Sequence, residues 1–282
     1  MPILHSYGLN FKNNMEYNHI TSSEINYNLH IHNACEIYFP ISEGVNYFVE
    51  KAVYSMEYGD LIITNIQEVH KPIFLSNKMY ERIYILFEPI VAQRMSTQEF
   101  DLMDCFINRP VGEQNKISLD KKQVEEIRKY FDKIDYADQN PADGGDVLRF
   151  SYFAELLVFI NRVFKNVKPN NECFNLPKKL MPVLDYINNN LETDLSLEFL
   201  EHHFYINRFY LSRLFKDNTG INIHDYIIVK RIAHAKKLLS DGMCATEACI
   251  SSGFSDYSNF VKIFKKTVGL TPREYKKSIL NA

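Results

Sequence analysis

The sequence predicts an α+β two-domain protein: an N-terminal β-barrel extended by a helical dimerisation segment, then a C-terminal all-α tandem of helix-turn-helix units. Three observations predict it. Short alternating apolar segments separated by turn signals fill the chain to about residue 95. Helical periodicity takes over from there. One short pattern then occurs twice, as YLSRLFKDNTG at 210–220 and NFVKIFKKTVG at 259–269. The boundaries that follow are 1–95 for the barrel, 96–168 for the helical segment, 169–177 for a linker and 178–282 for the helix-turn-helix domain.

In the first part, INYNLHIH at 25–32 alternates apolar and polar residues with period two, as a half-buried strand does. EIYFPIS, VNYFVE, DLIIT and YERIYILF follow, rich in Ile, Tyr, Phe and Val, side chains that fit a pleated surface. Ser42-Glu43-Gly44 and Tyr58-Gly59-Asp60 mark turns between them. Many short strands with regular turns make a sandwich or a barrel.

The periodicity changes near Val91. In DKKQVEEIRKYFDKI at 120–134, Val124, Ile127, Phe131 and Ile134 share a helix face, and Asp120 is placed to cap it. A second helix over 146–166 carries a wide apolar stripe of Leu148, Tyr152, Leu156, Phe159 and Val163, with Phe153, Leu157 and Ile160 beside it. A stripe that wide is covered either by a second copy, giving a homodimer, or by the same chain. The segment 166–177, NVKPNNECFNLP, is polar and carries two prolines, as a linker does.

Composition excludes several classes. With 46% hydrophobic and 24% charged residues, the chain has the make-up of an ordinary globular protein. The five cysteines are scattered, without a C-x-x-C pair, which argues against a structural zinc framework or a secreted disulfide scaffold. A reducing, cytoplasmic setting is the expectation. MPILHSYGLNFKNN lacks the basic start and apolar run of a signal peptide. No uninterrupted apolar stretch approaches the roughly 18 residues of a membrane span, so no membrane partner is expected. The net charge of −3 hides an asymmetry: 177–282 holds 15 Lys and Arg against 11 Asp and Glu, while the rest holds 17 against 24. A basic C-terminal part on an acidic chain points to a polyanionic partner.

Each copy of the repeated pattern completes a helix-turn-helix. In the first, Ser196 caps a helix bearing Leu197, Leu200 and Phe204. Asn207 caps a second helix with Leu211, Leu214 and Phe215 inward, and Gly220 stands where a left-handed C-terminal residue is favoured. In the second, Thr246 opens a helix with Ala248 and Cys249 inward. Gly253 takes the turn, Phe254 plugs the small core, and Asp256 caps a helix with Phe260, Ile263 and Phe264 inward. Between the copies, HDYIIVKRIAHAKKLL at 224–239 is amphipathic, a rod of about 24 Å at 1.5 Å per residue. Major-groove faces on one side of B-DNA recur about every 34 Å. Two helix-turn-helix units on one rigid spacer therefore allow one chain to enter adjacent turns of the groove.

The residues of 178–278, and above all GFSDYSNFVKIFKKTVGLTPREYKK at 253–277, resemble the DNA-binding domain of AraC/XylS-type transcriptional regulators. The resemblance implies double-stranded DNA as partner, with Phe209, Ser212 and Arg213 of the first recognition helix and Tyr257, Ser258 and Lys262 of the second on base edges. Those positions stay outside once the apolar face is buried. Arg213 has the fork that suits guanine, and Phe209 and Tyr257 suit thymine methyls. Asn207, Arg208, Lys216, Lys230, Lys265 and Lys266 are expected on phosphates. Two positions depart from the family pattern. Glu201 stands where a small residue is usual, and Ala248 where a larger aliphatic is common, while Cys249 is small enough for its place.

The β-rich part resembles the cupin-like sensor domains of the same regulators, on His30-x-His32-x-x-x-Glu36 and Gly59-Asp60-Leu61 followed by Glu68-x-His70. His30, His32, Glu36 and His70 match the set that holds metal in enzymatic cupins, which regulators of this type generally lack. The expectation is accordingly an effector pocket of His30, His32, Glu36, Tyr38, His70, Arg82 and Tyr84, with no metal and no cofactor. Aromatic faces with a few polar groups suit a carbohydrate. The resemblance thus implies a transcriptional activator that answers a small molecule and contacts RNA polymerase, not an enzyme. The alternative is a metal-dependent cupin enzyme fused to a DNA-binding domain.

Overall fold

The computed structural model describes residues 14–23, 29–76, 79–166 and 173–280. Among the described residues, nine strands fall into two sheets. The first holds β1 (Met15–Ser22), β7 (Tyr80–Phe87), β2 (Cys35–Pro40), β5 (Asp60–Thr64) and β8 (Lys116–Ser118), in that spatial order. The second runs β6 (His70–Phe74), β3 (Val45–Val49), β4 (Ala52–Met56) and β9 (Cys173–Asn175). All the pairings are antiparallel. Among the described residues no ladder joins the two sheets, so the barrel expected from sequence is here a two-sheet arrangement. The strand expected at 25–32 lies mostly outside the described residues, and its described end makes a single bridge, His30 to His70.

Alternation along the strands assigns the faces. Cys35, Ile37 and Phe39 of β2, Leu61 and Ile63 of β5, and Ile83, Ile85 and Phe87 of β7 face the helices and build the largest core. Tyr38, Ile62 and Tyr80, from the opposite face of the same strands, meet Val45, Tyr47, Val49, Tyr54 and Met56 of the second sheet.

Short helices α1 (Pro89–Met95) and α2 (Asp104–Ile107) lead to the hairpin of α3 (Lys121–Gln139) and α4 (Gly145–Asn166). Asp120 caps α3 as expected, in a capping box with Gln123. The wide stripe of α4 finds its cover within the chain. Leu156, Phe159, Val163, Phe153, Leu157 and Ile160 are all buried in the helix-facing core, and only Leu148 and Tyr152 remain accessible. The width of the stripe therefore no longer calls for a second copy. The expected linker is also less simple, since residues 173–175 pair with β4 as β9.

The C-terminal part is α5 (Met181–Asn189), α6 (Leu197–Phe204), α7 (Arg208–Thr219), α8 (Ile223–Ser240), α9 (Ala245–Ser251), α10 (Tyr257–Val268) and α11 (Pro272–Leu280). Two cores serve it. Leu200, Leu211, Phe215 and Tyr226 join a cluster that also takes Leu29, Ile31, Phe48, Val53 and Val69 from the strand-rich part, so the first helix-turn-helix unit is packed on the N-terminal domain. Ala248, Cys249, Phe254, Phe260 and Phe264 form a separate core with the end of α8 and Tyr275. No helix among the described residues is long and apolar enough to cross a membrane.

Candidate functional site

Two places carry the chemistry: the paired recognition helices and a histidine cluster between the sheets. In the first unit, the Asn207 side chain accepts from the backbone N–H groups of Phe209 and Tyr210. Those donors would otherwise have no partner in the first turn of α7. Glu201, the departure from the family pattern, has a local purpose. Its Oε1 accepts from the Arg208 N–H at 3.2 Å and from the Asn207 amide at 3.3 Å, so it finishes the cap of α7. The turn between α6 and α7 passes through Tyr205, which is left-handed at φ 54° and 95% exposed. The second unit makes its turn at Gly253, φ 86°, where an added Cβ would fall 2.1 Å from the Leu191 carbonyl oxygen. Asp256 caps α10 through the Asn259 N–H. The helix before it starts earlier than expected. Its cap is Cys244, in a capping box with Glu247, rather than Thr246.

The residues expected on bases separate into two kinds. Phe209, at 72% exposure, and Arg213, Ser258 and Lys262 are exposed, whereas Ser212 and Tyr257 are half-buried. Tyr257 leans on Phe260, with ring centroids 6.1 Å apart. Of the residues expected on phosphates, Asn207, Lys216, Lys265 and Lys266 are exposed. Arg208 pairs with Glu198. Lys230 is turned the other way: its Nζ lies 2.7 Å from Oε2 of buried Glu50, in the N-terminal domain. It is an interdomain tie in this structure, and sequence periodicity had no means of showing it.

The expected effector pocket divides similarly. Tyr38 and Arg82 are each only 2% exposed. Tyr38 donates to the Tyr80 hydroxyl at 3.2 Å and packs against Tyr47, and the Arg82 guanidinium lies over Phe74, Tyr80 and Tyr84 at about 6 Å. This aromatic half is packed on itself.

The histidine half converges. Ligand atoms of His30, His32, Glu36 and His70 all lie within 4.8 Å of one another. Nε2 of His32 and Nε2 of His70 each stand 3.2 Å from Oε2 of Glu36. Oε1 of Glu36 accepts from the Tyr47 hydroxyl at 2.7 Å. Burial opposes ionisation of Glu36, but its bonds to His32 and His70 outweigh that and hold its pKa well below the usual range. Burial likewise disfavours the His70 imidazolium, and Glu36 more than offsets it, leaving the pKa raised. Tyr47 was missed by the sequence reading, as nothing local distinguishes it from any strand tyrosine. So was Arg109, whose guanidinium grips both carboxylate oxygens of Glu68 at 2.6 Å and steadies the approach to His70.

Two capped helices on one connecting helix define a tandem helix-turn-helix domain. Residues 200–278 match the family described as "Helix-turn-helix domain". The regulatory protein PocR of Salmonella typhimurium is 35% identical over 106 residues, 36% of this chain and 34% of PocR. The chain thus spans about a third of that relative. A solved transcriptional regulator of Chromobacterium violaceum, described as containing an AraC-type DNA-binding domain, is 25% identical over 36% of this chain and 91% of its own, with TM-score 0.34. ToxT from Vibrio cholerae aligns with 96% of this chain and 100% of its own, at 13% identity and TM-score 0.38, too distant to inform the N-terminal domain. Residues 200–278 are accordingly a helix-turn-helix domain of the AraC type.

Proposed function

We propose that the whole chain is a sequence-specific transcriptional regulator whose N-terminal domain senses an effector and passes the state to the helix-turn-helix tandem. One observation carries it. The two recognition helices leave Phe209, Arg213, Ser258 and Lys262 exposed beyond their buried faces, with exposed lysines at 216, 265 and 266 beside them. Such a surface supplies base readout and phosphate anchoring together. The connecting α8 has 18 residues, about 27 Å at the usual rise, which suits two entries into successive major-groove segments. Activation, contact with RNA polymerase and a cytoplasmic location belong to this reading, as does a sensor of cupin type. Homodimerisation belongs to it too, with Tyr136, Val147 and Leu148 exposed near the turn of the α3–α4 hairpin as the apolar side chains available to a second copy.

The test is affinity capture of sheared genomic DNA by the purified protein at near-physiological salt, followed by sequencing. Non-specific binding is weak under those conditions. Enrichment of a site with two half-sites about one turn apart is the expected outcome. Uniform recovery, in every effector state tried, would overturn the reading.

A further inference from the structure

We propose that His30, His32, Glu36 and His70 bind one divalent first-row transition-metal ion, and that this ion is the regulatory ligand of the protein. The sequence alone left these residues as part of a metal-free pocket; their orientation argues otherwise.

Nδ1 of His32 lies 2.7 Å from the carbonyl oxygen of Ala34, and Nδ1 of His70 lies 2.8 Å from that of Glu68. A carbonyl only accepts, so both Nδ1 atoms carry the hydrogen. The Nε2 atoms of both rings are thereby turned inward and converge on the same Glu36 oxygen. A divalent ion at that point of convergence would take the place of the ring protons that otherwise bridge to the carboxylate. Backbone carbonyls that fix the outer nitrogen of a ligating histidine, with a hydroxyl on the far oxygen of the carboxylate, are the usual support around a bound metal. Here Ala34, Glu68 and the Tyr47 hydroxyl are those supports.

Spacing agrees. Two ligands about 2.1 Å from an ion, at right or tetrahedral angles, lie about 3.0–3.4 Å apart, and both His–Glu separations are 3.2 Å. The widest spread, 4.8 Å, exceeds the roughly 4.2 Å of opposite ligands by an amount that a partly exposed side chain can close. Three imidazoles and one carboxylate suit zinc, nickel, iron or cobalt rather than calcium or magnesium. His30 also lines a cleft of about 990 Å³ between the two domains, which gives an ion a way in.

The regulatory half follows from what touches the cluster. The backbone oxygen of His32 accepts from Nζ of Lys236 in α8 at 3.1 Å. Val69, next to His70, donates its N–H to Glu50 at 2.7 Å, and Glu50 holds Lys230 of the same helix. Ligand residues that draw together around an ion shift two backbone points on which the connecting helix rests. A ligand moves such an equilibrium only through different contacts in its two states, and these two contacts with the connecting helix are where the difference would be made.

The experiment is a calorimetric titration of the metal-stripped full chain with Zn(II), repeated with Co(II) while its visible ligand-field bands are followed. Operator affinity is then measured with and without Zn(II). One ion per chain is expected, with at least tenfold weaker binding in Glu36→Gln and His32→Asn. His19→Ala, which removes an exposed His–Glu pair elsewhere, should bind as the parent does. Glu36→Gln is nearly isosteric, and the circular dichroism of each variant checks that it folds. Operator affinity should change at least threefold with Zn(II), and that change should shrink in Lys236→Met while metal binding persists. Absence of saturable binding, or equal binding by Glu36→Gln and the parent, overturns the site. Binding without any change in operator affinity overturns the regulatory half. That half rests on the DNA-reading proposal, whereas the titration does not, so failure of DNA capture and failure of the metal site are separately visible.

Discussion

The two helix-turn-helix units share a sequence pattern but not a setting. The first shares its core with the N-terminal sheets: Phe215 and Phe48 both meet Tyr226, and Lys71 donates to the Gly220 carbonyl at 3.0 Å. The second closes its own small core with Phe254, Phe260, Phe264 and Tyr275. Their turns differ as well. The first tolerates a left-handed Tyr205 and adds Glu201 to the cap; the second has a glycine that nothing else could replace. The comparison teaches that the same sequence pattern can close either on a core shared with another domain or on a core of its own.

The largest expected effect is at the second turn. Gly253→Ala combines a left-handed φ with a backbone clash, so destabilisation of about 3 kcal/mol or more is expected. Hydrogen exchange should speed up in α9 and α10 while α6 and α7 keep their protection; loss of protection in both units would show that they unfold together. Next comes Arg213→Ala, which should weaken operator binding by about 2 kcal/mol, near thirtyfold, and leave random DNA little affected. Lys262→Ala should cost less, since a lysine lacks the two-pronged geometry. Equal losses on operator and random DNA would reduce Arg213 to a phosphate contact.

Smaller effects sharpen the first unit. Glu201→Ala removes an acceptor from the start of α7 and should cost about 1 kcal/mol in chemical denaturation; an unchanged midpoint would mean the carboxylate is a bystander. Tyr205→Gly relieves a left-handed side chain that is almost fully exposed. Relief of about 1 kcal/mol is partly offset by the freer unfolded chain, for a gain of about 0.5 kcal/mol. A loss of stability there would indicate a contact made by the ring.

What could be read from the sequence was local. Asp120, Ser196, Asn207 and Asp256 cap the helices they were expected to cap, because an N-cap bonds to a residue two or three places along. Gly220 and Gly253 take the positive φ expected of them, because backbone sterics act within one residue. The inward faces of both recognition helices followed from period alone. Tertiary structure decided whatever depended on a distant neighbour. The cover for the α4 stripe came from α3 and the sheet of the same chain. Lys230 met Glu50 across 180 positions of chain. Tyr47 found Glu36, and two imidazoles were aimed at one carboxylate oxygen by carbonyls that the residue types did not name. Periodicity says which face of an element is apolar. Which element covers that face, and which way a ring nitrogen points, is set by packing between segments far apart in the chain.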